Sequence, residues 1–327
     1  MRPKIFISQP IGPTALARLK AFADVEMIAD SSKIISKERM IEGAKGCDIL
    51  LPLLHDVVDA EVIAANPQLR AITSMSITPD RIDVAEATRR KLPVTVVPAM
   101  AVETTADIAW ALMMAVARNI APGDRMVRAG GFPGAQSNHF AGGFVWNKTL
   151  GLVGGRGRIG RAVARRARGF DMKVLYQSRQ RMAPEQEKEL NATYVSLDEL
   201  LKESDFVSLH PNMTAETHHM IGEREFALMK KTAYVINTAR GPVIDEKAMV
   251  RALMSGGIAG AGLDVFEAEP LIEPELLTMD NVVLTPHLGS AVLEVRDQMA
   301  NVVVDNIEAL LAGRPLPNCA NPQVFAS

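Results

Sequence analysis

The run Leu152-Val-Gly-Gly-Arg-Gly-Arg-Ile-Gly160, leading into Arg161-Ala-Val-Ala-Arg-Arg-Ala-Arg168, constrains what this chain can fold into more than any other stretch. An apolar segment from Thr149 to Val153 precedes it, and a small apolar face of Ala162, Val163 and Ala167 follows at helical spacing. The pattern predicts a strand, a tight turn and a helix. Within the turn Gly155, Gly157 and Gly160 match the spacing GxGxxG. In such a turn the first glycine permits the bend, the second lets a pyrophosphate approach the backbone, and the third lets helix and strand pack closely. The unpaired N–H groups and positive dipole end of the new helix then face the phosphates. Glycine turns also serve as purely structural corners. The flanking strand and helix favour a dinucleotide site formed by Gly155, Arg156, Gly157, Arg158, Ile159 and Gly160.

After the next apolar run, Met172 to Tyr176, an acidic residue would accept hydrogen bonds from a ribose 2′-OH and mark NAD(H). This chain reads Gln177-Ser-Arg-Gln-Arg181 there. Arg179 and Arg181 suit a 2′-phosphate, and Ser178 suits a hydrogen bond to it. NADP(H) is therefore expected over NAD(H), with a solvated basic loop as the alternative for either arginine taken singly.

With 327 residues and 48% hydrophobic content, two domains with their own cores are expected. The 36 basic and 38 acidic residues give a net charge of −2, which points to no nucleic-acid or membrane partner. The two cysteines, Cys47 and Cys319, have no metal-ligand or redox spacing. Met1 to Ile7 reads as a first strand rather than a signal sequence, and the longest apolar run, Ile108 to Ala117, is too short to span a bilayer. A cytoplasmic protein is the expectation.

Short β-like and helical runs alternate from residue 1 to about 100, which predicts a small α/β domain with a mostly parallel sheet. The stretch Glu103 to Arg118 reads as a helix apolar nearly all round, hence buried on several sides. Gly123 to Lys148 reads as an extended arm or a functional loop. The βα alternation resumes after the glycine turn and gives a doubly wound Rossmann layout, with loops at the strand carboxyl ends facing the cofactor. Ser290 to Leu311 reads as a long amphipathic helix and Gly313 to Ser327 as an irregular tail.

Three residues follow apolar strands where such a domain presents its chemistry. Arg240 follows Tyr234 to Ala239, Glu269 follows Ala261 to Phe266, and His287 follows Asn281 to Pro286. Reduction of a 2-keto acid needs a cation for the carboxylate, a proton donor for the carbonyl oxygen and a nicotinamide for the hydride. Arg240 offers a permanently charged planar fork, His287 a proton near neutral pH, and Glu269 a partner that orients the imidazole. Taken singly, each is equally well a surface ion-pair residue, a turn residue or a loop histidine; their joint placement after a dinucleotide turn favours chemistry. Asp264, at a strand end, is a candidate to hold the nicotinamide end of the cofactor. His218 and His219 would diverge on a regular element, and no metal site is expected.

Asn237-Thr-Ala-Arg-Gly-Pro-Val-Ile-Asp245, Gly262-Leu-Asp-Val-Phe-Glu-Ala-Glu-Pro270, Thr285-Pro-His-Leu-Gly-Ser290 and Ser208-Leu-His-Pro211 with Thr214-Ala-Glu-Thr217 resemble the signature blocks of the D-isomer-specific 2-hydroxyacid dehydrogenases. Ile72 to Ile77 and Glu103 to Asp107 resemble the glyoxylate/hydroxypyruvate reductase branch in particular. The resemblance implies an α/β fold of two Rossmann-like doubly wound domains: a flavodoxin-like catalytic domain of residues 1–101 and 291–327, and an inserted NAD(P)-binding domain of residues 102–290. It implies a dimerisation arm at 103–150 in a homodimer, and Arg240, Glu269 and His287 as the catalytic set. Backbone N–H groups at Ser76, Ile77 and Thr78 would bind the substrate carboxylate with Arg240. Thr105, His210, Thr238, Ala239, Asp264 and His287 would line the cofactor. The implied reactions are glyoxylate to glycolate and hydroxypyruvate to D-glycerate; the alternatives are a 2-ketogluconate reductase and a non-catalytic dinucleotide-sensing protein.

Two departures from the family pattern stand out. Thr78 occupies a position where the family usually has glycine. The family pattern GxxGxGxxG is one residue longer here, from Gly151 to Gly160, so the extra residue is absorbed in the turn or by a register change in the strand.

Overall fold

The computed structural model describes residues 2–135 and 137–326. The chain divides into two compact units, Met1–Met100 with Val292–Ser327, and Ala101–Ala291.

The first unit carries five parallel strands: β1 (Lys4–Ile7), β2 (Asp24–Met27), β3 (Ile49–Leu51), β4 (Ala71–Thr73) and β5 (Val94–Thr95). Their spatial order is β2-β1-β3-β4-β5, a doubly wound sheet of the flavodoxin-like order. Ile5, Ile7, Ile49 and Leu51 are buried together with Leu19 of the helix Pro13–Phe22 and with Val303 and Ile307 of the helix Leu293–Leu311. That last helix starts three residues later than its apolar pattern suggests, because Val292 is extended. The tail is irregular but anchored: buried Asn321 accepts from Val94 N at 2.8 Å and donates to Leu92 O at 3.0 Å, which satisfies the edge of β5.

The second unit carries seven parallel strands: β6 (Thr149–Val153), β7 (Lys173–Gln177), β8 (Ala192–Tyr194), β9 (Phe206–Leu209), β10 (Tyr234–Asn237), β11 (Gly260–Leu263) and β12 (Val282–Leu284). The order β12-β11-β10-β9-β6-β7-β8 reverses direction between β6 and β9. Ligands of open α/β sheets bind beyond the strand carboxyl ends at such a switch point. The apolar helix Val102–Ala117 lies over this sheet, with Ala106, Ala109, Leu112 and Met113 buried against Leu150, Leu152 and Ile236. The segment expected to be a loop from Gly123 holds a helix, Ile120–Arg128. Pro122 falls in its first turn, where a missing N–H is tolerated, and Asn119 enters it in the left-handed region at φ 53°. Among the described residues no helix is long and apolar enough to cross a membrane.

Candidate active site

The second unit brings its chemistry to the carboxyl edge of β6–β12 in two clusters. One is the glycine turn. β6 keeps an unbroken register with β7 and β9, out to Val153↔Gln177 and Val153↔Leu209, so the turn absorbs the extra residue. Gly154 N and Gly155 N both donate to Gln177 O, at 2.8 and 3.2 Å, and Gly157 N donates to Gly154 O at 2.9 Å. The left-handed bend falls on Gly154, at φ +81°, one residue before the glycine that the motif spacing assigns to it. A Cβ on Gly154 would stand 2.6 Å from the carbonyl carbon of His210. Gly155 has no such φ but is equally constrained, because a Cβ there would meet Tyr176 Cβ at 2.6 Å and one on Gly160 would meet Gly155 Cα at 2.6 Å. Gly157 is the N-cap of the helix Arg158–Ala167, and no side chain caps that helix. The first amides of the helix, at Arg158, Ile159 and Gly160, therefore remain as an anion-binding end.

Ser178, Arg179 and Arg181 differ in what they are able to offer. Ser178 Oγ accepts from Arg156 N at 3.0 Å, and Tyr194 OH donates to Ser178 O at 3.2 Å. Arg181 is engaged by Glu187 through two bonds of 2.8 Å. Arg181, followed by the Tyr176 hydroxyl, holds the Glu187 carboxyl down at about 2. The sequence places this carboxylate six residues away, and the helix Pro184–Leu190 folds it back onto the loop. Arg179 is exposed.

Next to the turn, at the ends of β9 and β10, lie buried polar atoms. His210 Nε2 pairs with Ser208 Oγ at 2.9 Å, while its Nδ1 and Thr238 Oγ1 have no partner among the described residues. Burial pushes the His210 pKa down to about 3, so the ring is neutral. Orphaned polar atoms at a switch point beside a glycine cradle fit a dinucleotide that supplies the missing hydrogen-bond partners. Ala239 N is already committed to Asn237 Oδ1 at 3.0 Å. Thr105 Oγ1 and Thr104 Oγ1 donate to Gly289 O at 3.3 and 2.7 Å, so these threonines anchor the loop after β12.

The other cluster is an acid–base corner. His287 Nδ1 stands 3.1 Å from Glu269 Oε2, and Phe266 N donates to Glu269 Oε1 at 3.0 Å. With Nδ1 committed to the carboxylate, proton transfer falls to Nε2. His287 itself is held in the left-handed region at φ 55°. Buried Asp264 is what holds it there: Oδ1 accepts from Thr285 Oγ1 at 2.6 Å and Leu288 N at 2.7 Å, and Oδ2 accepts from Gly289 N at 2.9 Å. Asp264, expected at the nicotinamide end, thus binds the histidine loop with three hydrogen bonds.

Arg240 follows β10, and Asn237 Nδ2 donates to its carbonyl at 3.1 Å. A Cβ on Gly241 would fall 1.9 Å from the Phe266 carbonyl carbon, so only glycine lets this segment press against the loop that carries Glu269. Sequence reasoning missed Gly154, Gly241 and a brace behind Glu269. In that brace Glu246 Oε2 accepts from Glu267 N at 2.8 Å, Glu246 Oε1 from Glu273 N at 3.1 Å, and Glu267 Oε2 from Glu246 N at 3.1 Å. His219 Nε2 meets Glu267 Oε1 at 2.7 Å. The adjacent histidines do not diverge: His219 takes φ 50°, and the two rings stack at 4.0 Å. Glu246 reads in the sequence as an ordinary first-turn acid, which gave no signal.

In the first unit, the loop after β4 carries Ser76, Ile77 and Thr78. Ser76 N is committed to Ser74 Oγ at 3.0 Å, and Thr78 Oγ1 donates to Asp80 Oδ2 at 2.6 Å. Of the three backbone donors expected for a carboxylate, Ser76 N is therefore already engaged.

A family model described as D-isomer specific 2-hydroxyacid dehydrogenase, NAD binding domain, matches residues 110–289, more than half of the 327-residue chain. A glyoxylate reductase of Korarchaeum cryptofilum is 46% identical over 326 residues, covering 99% of this chain and 97% of that protein. Among solved structures, a glyoxylate reductase from Paecilomyes thermophila has TM-score 0.81 at 34% identity, covering 98% of this chain and 99% of the other. An NADPH-dependent glyoxylate/hydroxypyruvate reductase from Sinorhizobium meliloti, solved with NADP and malonate, has TM-score 0.81 at 28% identity, covering 99% of this chain and 98% of the other.

Proposed function

Since the chain belongs to the D-isomer specific 2-hydroxyacid dehydrogenase family, we propose that it reduces small 2-keto acids with NADPH, taking glyoxylate to glycolate and hydroxypyruvate to D-glycerate. The observation that carries this reading is the His287–Glu269 pair at 3.1 Å, on the same sheet edge as Arg240 and the glycine turn.

The turn amides and the residues around His210 and Thr238 would hold the cofactor, which supplies a hydride to the keto carbon when bound. Arg240 clamps the carboxylate of the acid through its guanidinium fork. His287 Nε2 delivers a proton to the carbonyl oxygen, and the hydroxy acid results from that proton and the hydride together. Glu269, 3.1 Å from Nδ1, orients the ring so that Nε2 faces the substrate oxygen. Asp264 and Thr104 keep the histidine loop in the conformation that presents Nε2. The preference for NADPH is supported by Arg179 and Ser178, and by the cofactor of the Sinorhizobium meliloti relative.

Exposed Phe132, Phe144 and Trp146 support a homodimer formed through the 103–150 segment, in a cytoplasmic enzyme. Arg240→Ala tests the clamp. The expected outcome is a rise in KM for glyoxylate together with a fall in kcat, at least tenfold in kcat/KM. Unchanged kinetics would remove Arg240 from the mechanism.

A further inference from the structure

Glu246 turns its carboxylate to a loop that is not its own. It opens the helix Glu246–Met254, but Asp245 caps that helix, accepting from Ala248 N at 2.9 Å, so the helix start is served without it. Glu246 is 5% exposed, and among the described residues no cation pairs with it. Its Oε2 accepts from Glu267 N at 2.8 Å and its Oε1 from Glu273 N at 3.1 Å. Those two amides stand on either side of Glu269 in the chain. Between them Leu271 N donates to Ala268 O at 2.9 Å, so Glu269 sits on a short turn clamped at both ends by one carboxylate. Glu267 returns the contact, with Oε2 accepting from Glu246 N at 3.1 Å, and its Oε1 meets His219 Nε2 at 2.7 Å. His219 N donates in turn to Pro242 O at 2.8 Å, in the segment that leaves Arg240.

We propose that Glu246 is a positioning residue for the acid–base corner, which sets the place of the Glu269 carboxylate by holding both ends of its turn. The inference rests on the reduction proposed above and adds to it a residue that touches neither substrate nor cofactor. Burial penalises a charged group, and the two amide donors offset that penalty only while both stay in place. The carboxylate therefore admits one position of the turn rather than a range. Glu269 inherits that position, because its Oε1 accepts from Phe266 N at 3.0 Å, within the same turn, while Oε2 faces His287 Nδ1 at 3.1 Å. A turn freed at either end would carry Glu269 away from the imidazole, and proton transfer is sensitive to displacements of about 1 Å. Reciprocal bonding through Glu267 and His219 ties the same turn to the segment that follows Arg240.

The test is a double-mutant cycle on the full chain, with steady-state NADPH-dependent glyoxylate reduction measured for wild type, Glu246→Ala, Glu246→Gln, Glu269→Gln and the two double variants. Glu246→Ala should lower kcat roughly tenfold, with KM for glyoxylate and the dissociation constant for NADPH within about twofold of wild type. Glu246→Gln keeps one acceptor oxygen and should recover part of that loss; it also carries the cycle alone if the alanine variant fails to fold. In the Glu269→Gln background either substitution should lower kcat by less than about twofold, because the group it positions is already gone. Losses of the same size in both backgrounds would make Glu246 an ordinary structural residue and overturn the inference, as would wild-type kcat in both single variants. A wild type that reduces no glyoxylate would overturn the proposed reaction, and this inference with it; an active wild type with additive losses would overturn this inference alone.

Discussion

At the glycine turn the working groups are backbone amides and the absence of side chains, whereas at the acid–base corner they are side chains held by other side chains. Gly154, Gly155 and Gly160 pack so closely that an added Cβ at each would meet a neighbour at 2.6 Å. The corner reaches its geometry through carboxylates: Asp264 binds the histidine loop, Glu269 the imidazole, and Glu246 with Glu267 the loop behind Glu269. The turn accommodates a longer chain because amides presented at a helix end need only the helix start in place, and β6 supplies that through an undisturbed register. The corner has no comparable latitude, since each of these carboxylate oxygens is matched to a particular donor. Substitutions in the two regions should therefore alter different observables.

The largest separation is expected from His287→Ala. Loss of the proton donor should lower kcat by about 10²- to 10⁴-fold, with the dissociation constant for NADPH nearly unchanged. Normal turnover would reject His287 as the donor. Gly154→Ala should do the reverse. The residue would have to hold φ +81° with a Cβ crowding His210, costing about 1–3 kcal/mol of stability and weakening NADPH and NADH together. A thermal melt and cofactor titration at wild-type values would show that the turn tolerates side chains after all.

The smallest effect concerns pH. Burial lowers the His210 pKa from its ordinary 6.5 to about 3, so between these values the unfolded chain binds a proton that the folded chain refuses. The stability associated with the neutral ring is fully present above pH 6.5 and is lost as pH falls from there towards 3. Thermal melts of His210→Gln should show a shallower decline from pH 7 to 4 than wild type. Parallel declines would mean that His210 titrates normally.

The α/β fold of two parallel sheets was legible because strand, turn and helix are encoded locally, by apolar runs and by glycine spacing. Arg240, Glu269 and His287 were legible as candidates for the same reason, each following an apolar run within a few residues. What escaped depends on contacts between segments distant in the chain. Gly241 is unremarkable until β11 brings Phe266 against it, and Glu246 is a first-turn acid until the loop at 267–273 folds over it. Arg181 stood beside Arg179 as a candidate, the weaker of the two, until a helix turned Glu187 back to it. The helix Ile120–Arg128 was obscured by Pro122 and Gly123, both of which normally argue against a helix.

The account is tested most directly by initial rates of NADPH and NADH oxidation by the purified full chain, measured in parallel with glyoxylate, hydroxypyruvate and 2-ketogluconate. It predicts faster turnover with NADPH than NADH, and higher kcat/KM for glyoxylate and hydroxypyruvate than for 2-ketogluconate. A preference for 2-ketogluconate would contradict the assignment to small acids, and NADPH binding with no oxidation by any of the three would contradict the catalytic reading of the Glu269–His287 corner.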